Sequence, residues 1–486
     1  MKRELVTIGF APTKRDVFNH PEVHEAARAI RAKLPAWLSD SVRIVDIDDV
    51  TPTGLLENEA GALAAIDKFR REKVDGLFTP HCNFGCESGV ALVAAQLKVP
   101  LLLWGPRDGD PSGGGNPAVA LAGRTRDSQC GLFATGKALR RMNVPFTYIP
   151  NGTLESGGIE RGFKAFTAVC AAVKAFRETK VLQISSRPDA FWTVMCNEGE
   201  LLERFGVRVF PVTLIDLVES MKTLRRDKGG TVADKADAIR AAFSLHGIGD
   251  ESVLQMAAYC LAVGELAEQN RCNVVATTCW RAFRIATGIA ACGMNGFIGE
   301  TGLPVVCETD IHGAISVRLM QAAAMSDEPS FFADVTVRHP FNDNAELLWH
   351  CGNFPPCLAE EGVVRSLKCS ESRGTPSPGK SYFNIRKGDV TVCRFDGDHG
   401  EYSLLMGEGK SVDGPKTVGT YCWFEVKDWI AWEEKLVAGP YIHHVAGSFG
   451  RLAPILHEAC KYLGVVPDPV EPDAAWIREF WRGRAV

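Results

Sequence analysis

Residues 75–104, DGLFTPHCNFGCESGVALVAAQLKVPLLLW, decide the fold class. Two short apolar runs, DGLFTPHC and VPLLLW, flank ESGVALVAAQLK, whose apolar residues recur at helical spacing. A strand that is apolar throughout has no face to give to water, and a helix between two such strands supplies the cover; this is a parallel β–α–β unit. Toward the N-terminus, LVTIGFAP and VRIVDID repeat the strand pattern, with PEVHEAARAIRAKL and AGALAAIDKFRREK as amphipathic helices. The alternation restarts near residue 180: KVLQISSRP, GVRVFPVT, NVVATTCW and LPVVCETD are strands, and KADAIRAAF, VLQMAAYCLAVGELAEQN and IHGAISVRLMQAAAM are helical. After about residue 330 the character changes. FFADVTV, ELLWHCG, SYFNIRK, DVTVCRF, YSLLMGEG and TYCWFEV are short strands punctuated by Gly, Asp, Pro and Ser, as in a small antiparallel barrel. SESRGTPSPGKS reads as a surface loop and LAPILHEACKYLG as one late helix. The expected fold class is α/β: two doubly wound parallel-sheet domains, residues 1–175 and 176–345, followed by a β-barrel-like C-terminal domain, residues 346–486.

With 54 Lys+Arg against 59 Asp+Glu among 486 residues, the net charge is −5. A nucleic-acid partner is not expected, because phosphate neutralisation needs clustered excess cations. No segment approaches the roughly 20 apolar residues that span a bilayer. The apolar run in MKRELVTIGFAP is short and TKRD follows at once, so it reads as a first strand of a cytoplasmic protein, not a leader. The 16 cysteines are scattered through apolar runs, which suits buried free thiols. Cys82 and Cys86 have no second close pair, so a zinc site is not expected there. The glycine-rich GDPSGGGNP lacks both the phosphate-loop Lys-Ser/Thr and the GxGxxG order.

Open α/β sheets bind ligands beyond the carboxyl ends of their strands, so polar residues that follow apolar strands are the candidates. In CETDIHG, Glu308, Asp310 and His312 follow LPVV; they suit a metal or acid–base site, or a helix start with Thr309 or Asp310 as N-cap. Asp334 interrupts the apolar FFADVTV, where a carboxylate must be paired, metal-bound or turned to solvent. His350 in LLWHCGN is a ligand or a core histidine. His443 and His444 in GPYIHHVAG would face opposite sides of a strand, so that only one easily reaches a given metal. Taken together, these oxygen and nitrogen donors suit Mn²⁺ or a related divalent ion. Trp192 and Asn197 in RPDAFWTVMCNEGE, and Trp280, Arg281 and Arg284 in TTCWRAFR, are candidates for sugar binding, where a flat apolar face beside hydrogen-bond donors is needed. Arg124, Arg126 and Asp127 in RTRDSQCGLF are further polar candidates. Arg281 and Arg284 at a strand end need polar or anionic company: either Glu198 or Asp310 pairs with them, or an anionic substrate group does.

The segments NFGCES, LLLWGPRD, RDSQCGLFATGKALRRMNVPFTYI, FWTVMCNEGELLERFGV, TTCWRAF, GLPVVCETDIHGAIS, FFADVTV, WHCGN and IHHVAG resemble the L-fucose isomerase and L-arabinose isomerase superfamily, particularly its shorter L-fucose isomerase-like members. The resemblance covers nearly the whole chain. It implies two α/β domains and a barrel, and aldose–ketose isomerisation by cis-enediol proton transfer with Mn²⁺ or another divalent cation such as Co²⁺ or Mg²⁺. It assigns Glu308 and Asp334 as metal-binding acids, His443 or His444 as the late metal-binding histidine, and His350 as a neighbour of the metal; Asp310 is a further possible neighbour, and Glu308 and Asp334 are the expected catalytic carboxylates. It further implies a homotrimer or homohexamer with the active site at a subunit boundary, to which Arg15 and the segment around Asn83 would contribute from a neighbour. Arg281 stands where proline or an uncharged residue is expected, which bears on the sugar. The alternatives are an isomerase of an anionic or modified sugar and a non-catalytic sugar-binding or sensing protein.

Overall fold

The computed structural model describes residues 4–16, 20–116, 125–372 and 375–484, and Arg124 lies outside them. They fall into two compact units. Among the described residues, the first spans 4–174 with 458–464 and 474–484, and the second 175–457 with 465–473.

In the first unit, β1 (Val6–Phe10), β2 (Val42–Asp46), β3 (Gly76–Pro80), β4 (Leu101–Trp104) and β5 (Thr147–Tyr148) make a parallel sheet of order β2-β1-β3-β4-β5. β1, β3 and β4 are buried along their whole length, as their unbroken apolar sequences require. Helix Glu59–Arg71 shows why these residues fold as they do. The Asn58 side chain accepts from Gly61 N at 2.9 Å, Ala62, Ala65, Ile66 and Phe69 bury one face, and Lys68, Arg70 and Arg71 complement the dipole at its end.

The second unit opens with β6 (Lys180–Ile184), β7 (Arg208–Val212), β8 (Ser244–His246), β9 (Val274–Thr277) and β10 (Val305–Val306). All but β8 form a parallel sheet of order β10-β9-β6-β7. The β-rich part follows: β11 (Phe331–His339), β12 (Asn342–His350), β13 (Ser366–Ser372), β14 (Thr375–Asn384), β15 (Gly388–Asp398), β16 (Glu401–Val412), β17 (Thr420–Glu425), β18 (His444–Phe449) and β19 (Val466–Pro469). β16-β15-β18-β11-β12-β17 pair antiparallel in that order, and β16 pairs with β17 to close a six-stranded barrel. Residue 345, where a domain boundary was expected, falls inside β12. Helix Ile311–Ala324 touches both β9 of the parallel sheet and β15 and β18 of the barrel. Buried residues run along it from Ile311 to Ala323, which explains its apolar sequence on every side.

The expected loop SESRGTPSPGKS is instead largely a β13–β14 hairpin, with residues 373–374 outside the described set. Pro376 and Pro378 are tolerated because a register shift at Lys368/Cys369 interrupts the ladder beside them, and β14 meets β17 only further on, at Phe383 and Asn384. All 16 cysteines are free thiols, in line with the sequence reading. Among the described residues, no helix is long and apolar enough to cross a membrane.

Candidate active site and metal centre

Beyond β10 the chain makes an abrupt turn into helix Ile311–Ala324. Glu308 and Thr309 both take left-handed backbone conformations, φ 62° and 56°. For residues with a Cβ this costs about 1–3 kcal/mol each and marks a conformation that the surroundings impose. Asp310 is the N-cap, its Oδ1 accepting from Gly313 N at 2.8 Å. The helix-start reading of CETDIHG therefore holds for Asp310, and the turn sets Glu308 apart from that task.

The barrel supplies the other groups. Asp334 on β11 stands opposite His444 on β18, the cross-strand arrangement that brings side chains together. His444 is fully buried. Its Nδ1 lies 2.9 Å from Asp310 Oδ2, and its Nε2 lies 3.1 Å from Glu308 Oε2 and 3.5 Å from Asp334 Oδ1. His350 Nε2 approaches the same Asp334 Oδ1 at 3.8 Å. His443 joins the cluster: Asp334, His443 and His444 offer ligand atoms that all lie within 4.8 Å of one another. The expectation that adjacent histidines diverge is thus corrected. β18 begins at His444, so His443 sits before the strand and escapes its alternation; the two rings are 4.3 Å apart. On the sheet side, Trp280 Nε1 donates to Glu308 Oε1 at 3.1 Å, and Phe191 meets the Trp280 ring edge-on at 5.0 Å.

The electrostatics describe how charge is balanced in the cluster. Burial opposes charge on His444, but Asp310 and Glu308 outweigh it and raise its pKa to about 9. Burial is likewise overcome at His350, chiefly by Asp334, and its pKa is also raised to about 9. Burial would raise Glu308, yet His444 holds it below the usual carboxylate range. Carboxylates gathered in a buried place draw positive charge, here as protons on imidazoles. His444 Nε2, His350 Nε2 and Asp334 Oδ1 are buried without a hydrogen-bond partner. Orphaned donors of this kind, facing one another among carboxylates, fit a divalent cation that would take the place of the protons.

Trp192 is largely exposed beside Phe191. Asn197 caps helix Glu198–Phe205, accepting from Glu200 N at 3.2 Å. Arg281 and Arg284 lie on the short helix that begins right after Trp280. Neither of the carboxylates expected to pair with Arg281 does so: Asp310 is taken by Arg394 and His444, and among the described residues Arg281 has no ion pair. Arg284 Nε is buried without a partner. His312 turns away from Glu308 and pairs with Asp396 at 2.8 Å. In the first unit, the Asn83 side chain accepts from Arg15 N at 2.8 Å and donates to Arg15 O at 2.7 Å, which fixes that segment. Arg15 covers the Phe84 ring and faces Glu87 at 3.5 Å. Arg126 and Asp127 are held by Asp108, through Arg126 Nε at 3.3 Å and Asp127 N at 2.8 Å. Arg394, Asp396 and Phe191 belong to the surroundings of the site and were not singled out in the sequence. The one available signal was an arginine inside the apolar strand TVCRF.

Parallel sheet and barrel bring a carboxylate–imidazole cluster together, and sequence comparisons give the class of protein that carries it. Residues 9–177 match the fucose/sulfoquinovose isomerase N-terminal domain, and residues 348–468 match the L-fucose isomerase C-terminal domain. The sulfoquinovose isomerase of Priestia aryabhattai is 24% identical over 410 residues, covering 84% of this chain and 86% of that protein. That of Alkalicoccus urumqiensis is 23% identical over 342 residues, covering 70% and 73%. The chain belongs to the L-fucose isomerase-like family. It is an aldose–ketose isomerase, an intramolecular oxidoreductase acting on a sugar, and not the non-catalytic binding protein of the alternative reading.

Proposed function

We propose that this isomerase depends on a divalent cation held by Glu308, Asp334 and His444, with His443 as a further donor, and that its sugar carries an anionic group, sulfoquinovose first among the candidates. The orphaned buried atoms of His444, His350 and Asp334 carry the cation half of the reading. For the anion, support comes from Arg281 and Arg284, two guanidiniums without carboxylate partners among the described residues, beside a tryptophan that touches Glu308. The curated relatives named for sulfoquinovose, a sulfonated sugar, point the same way. Mn²⁺ suits the mixed oxygen and nitrogen donors best, with Co²⁺ or Mg²⁺ as alternatives. A bound cation would polarise the substrate carbonyl and make the C2 hydrogen more acidic.

The residues do the rest. One carboxylate of the Glu308/Asp334 pair takes the C2 proton of the open-chain aldose, and a proton is returned to C1 through a cis-enediol. The two differ in surroundings, since Glu308 is anchored by Trp280 and His444 while Asp334 lies between two imidazoles; such differences let paired carboxylates take separate roles. Asp310 and His350 support the cluster from behind. Trp192, Trp280 and Asn197 form the sugar-facing surface, with Arg281 and Arg284 toward the anionic end. Arg15 and the Asn83 segment would cover the site of a neighbouring copy in a cytoplasmic homotrimer or homohexamer, and a division into an N-terminal α/β part, a second α/β part carrying the acids and a C-terminal β-rich part carrying the histidines belongs to the same proposal.

An aldose panel tests it. Sulfoquinovose, L-fucose and L-arabinose are assayed before and after chelation and after Mn²⁺ reloading. Turnover of sulfoquinovose should exceed that of the neutral sugars, vanish on chelation and return with Mn²⁺. Arg281→Ala should lose at least about tenfold in kcat/KM on the sulfonated sugar and little on the others, a difference of about 1.4 kcal/mol. Good turnover of L-fucose with an equal effect of Arg281→Ala on every sugar would refute the anionic substrate.

A further inference from the structure

Arg394 on β15 is completely buried. Its guanidinium bridges two carboxylates. On one side it binds Asp310 through Nη1, and through Nη2 at 3.2 Å from Oδ1; on the other, Nε and Nη2 reach Asp396 Oδ2 at 2.8 and 2.7 Å. Asp310 Oδ2 is also the acceptor for His444 Nδ1 at 2.9 Å. Asp396 Oδ1 takes His312 Nδ1 at 2.8 Å and Gly397 N at 2.9 Å. A buried line of charge-assisted contacts therefore runs His444–Asp310–Arg394–Asp396–His312.

Such a line is a poor device for stability alone, because well-packed apolar side chains commonly do as well. Its geometry serves orientation. A neutral imidazole has two tautomers, and only the one protonated at Nδ1 offers a lone pair at Nε2. Asp310 selects that tautomer only while it remains a fixed acceptor. Without the guanidinium it would be a third uncompensated carboxylate beside Glu308 and Asp334, and repulsion would compete with its hold on His444.

We propose that Arg394 is a positioning residue of the isomerase: by anchoring Asp310 from behind, it fixes the tautomer and ring orientation of His444 so that Nε2 faces Glu308 and Asp334. The inference rests on the reading of these residues as the cation site. Arginine is needed for its planar fork, which spans Asp310 and Asp396 at once; lysine would keep the charge and lose the span. Partners that orient metal-binding histidines typically contribute 10–100-fold in metal affinity.

Calorimetric titration of the chelated full chain with Mn²⁺, and the visible spectrum of the Co²⁺-loaded protein, provide the test. Arg394→Lys should weaken Mn²⁺ binding by about 10–100-fold, alter the Co²⁺ spectrum, and lower kcat at saturating Mn²⁺ with little change in the KM for sugar. If Arg394→Lys does not fold, Asp396→Asn, which leaves Arg394 and Asp310 paired, should shift the same readouts in the same direction by less. Wild-type Mn²⁺ affinity and an unchanged Co²⁺ spectrum in the folded variants would overturn the proposal while leaving the cation site standing. A wild type that takes up no Mn²⁺ overturns both.

Discussion

Glu308 is held by contacts of three kinds: a left-handed backbone, an indole on one oxygen and an imidazole against the other. Replacing it by glutamine keeps size and the Trp280 contact and removes one carboxylate of the pair proposed to move the proton. Glu308→Gln should therefore fold normally and lose at least about 10²-fold in kcat, the usual worth of a general base; circular dichroism and steady-state rates check the two halves. Trp280→Phe keeps the ring and deletes the N–H, and should lower kcat by about tenfold, as expected for a hydrogen bond to a charged group. That Glu308, Asp334 and the two histidines stand out was visible in the sequence because each is a polar residue within or beside an apolar strand run, and the fold brings them together. Arg394 did not stand out. Inside TVCRF it reads as one more outward strand residue, and its partner Asp310 lies 84 positions away.

At the scale of elements, β18 carries His444 between β11 and β15, so its packing sets the position of the site. Gly447 faces Phe331 across that pairing, and a Cβ there would lie 2.2 Å from the ring. Gly447→Ala should destabilise by about 1–3 kcal/mol through overpacking. Gly264, within helix Asp250–Gln269, has open space around its Cβ position. Gly264→Ala should stabilise by about 0.5–1 kcal/mol; denaturant midpoints of the two variants, moving in opposite directions, are the check. Most strands and helices were legible because burial on both faces, or on one stripe, writes its period into the sequence. The β13–β14 hairpin was hidden, since Pro376 and Pro378 locally mimic a loop; the register shift beside Pro378 and the absence of β17 pairing before Phe383 make them compatible with the ladder.

For the molecule as a whole, the class of fold, barrel included, followed from local patterns, whereas the strand order did not: β18 is inserted between β11 and β15, and β16 meets β17, by contacts far apart in the chain. Global stability should carry the mark of Glu408 on β16, whose pKa burial pushes up to about 7 from 4.5. Between these values the folded state holds more protons than the unfolded one, so stability falls as pH rises from about 4.5 to 7. Glu408→Gln mimics the protonated acid and should raise the melting temperature at pH ~8, with the gain gone near pH ~4.5. Melting curves at the two pH values decide this. The central claim, proton transfer by carboxylates of one cation site, is tested most directly by running the Mn²⁺-loaded enzyme on sulfoquinovose in D₂O and reading C1 of the ketose by proton NMR. Solvent deuterium should enter C1 with the wild type, at least about 10²-fold more slowly with Glu308→Gln, and not after chelation; a ketose that keeps all substrate hydrogen at C1, or labelling of Glu308→Gln at the wild-type rate, would contradict it.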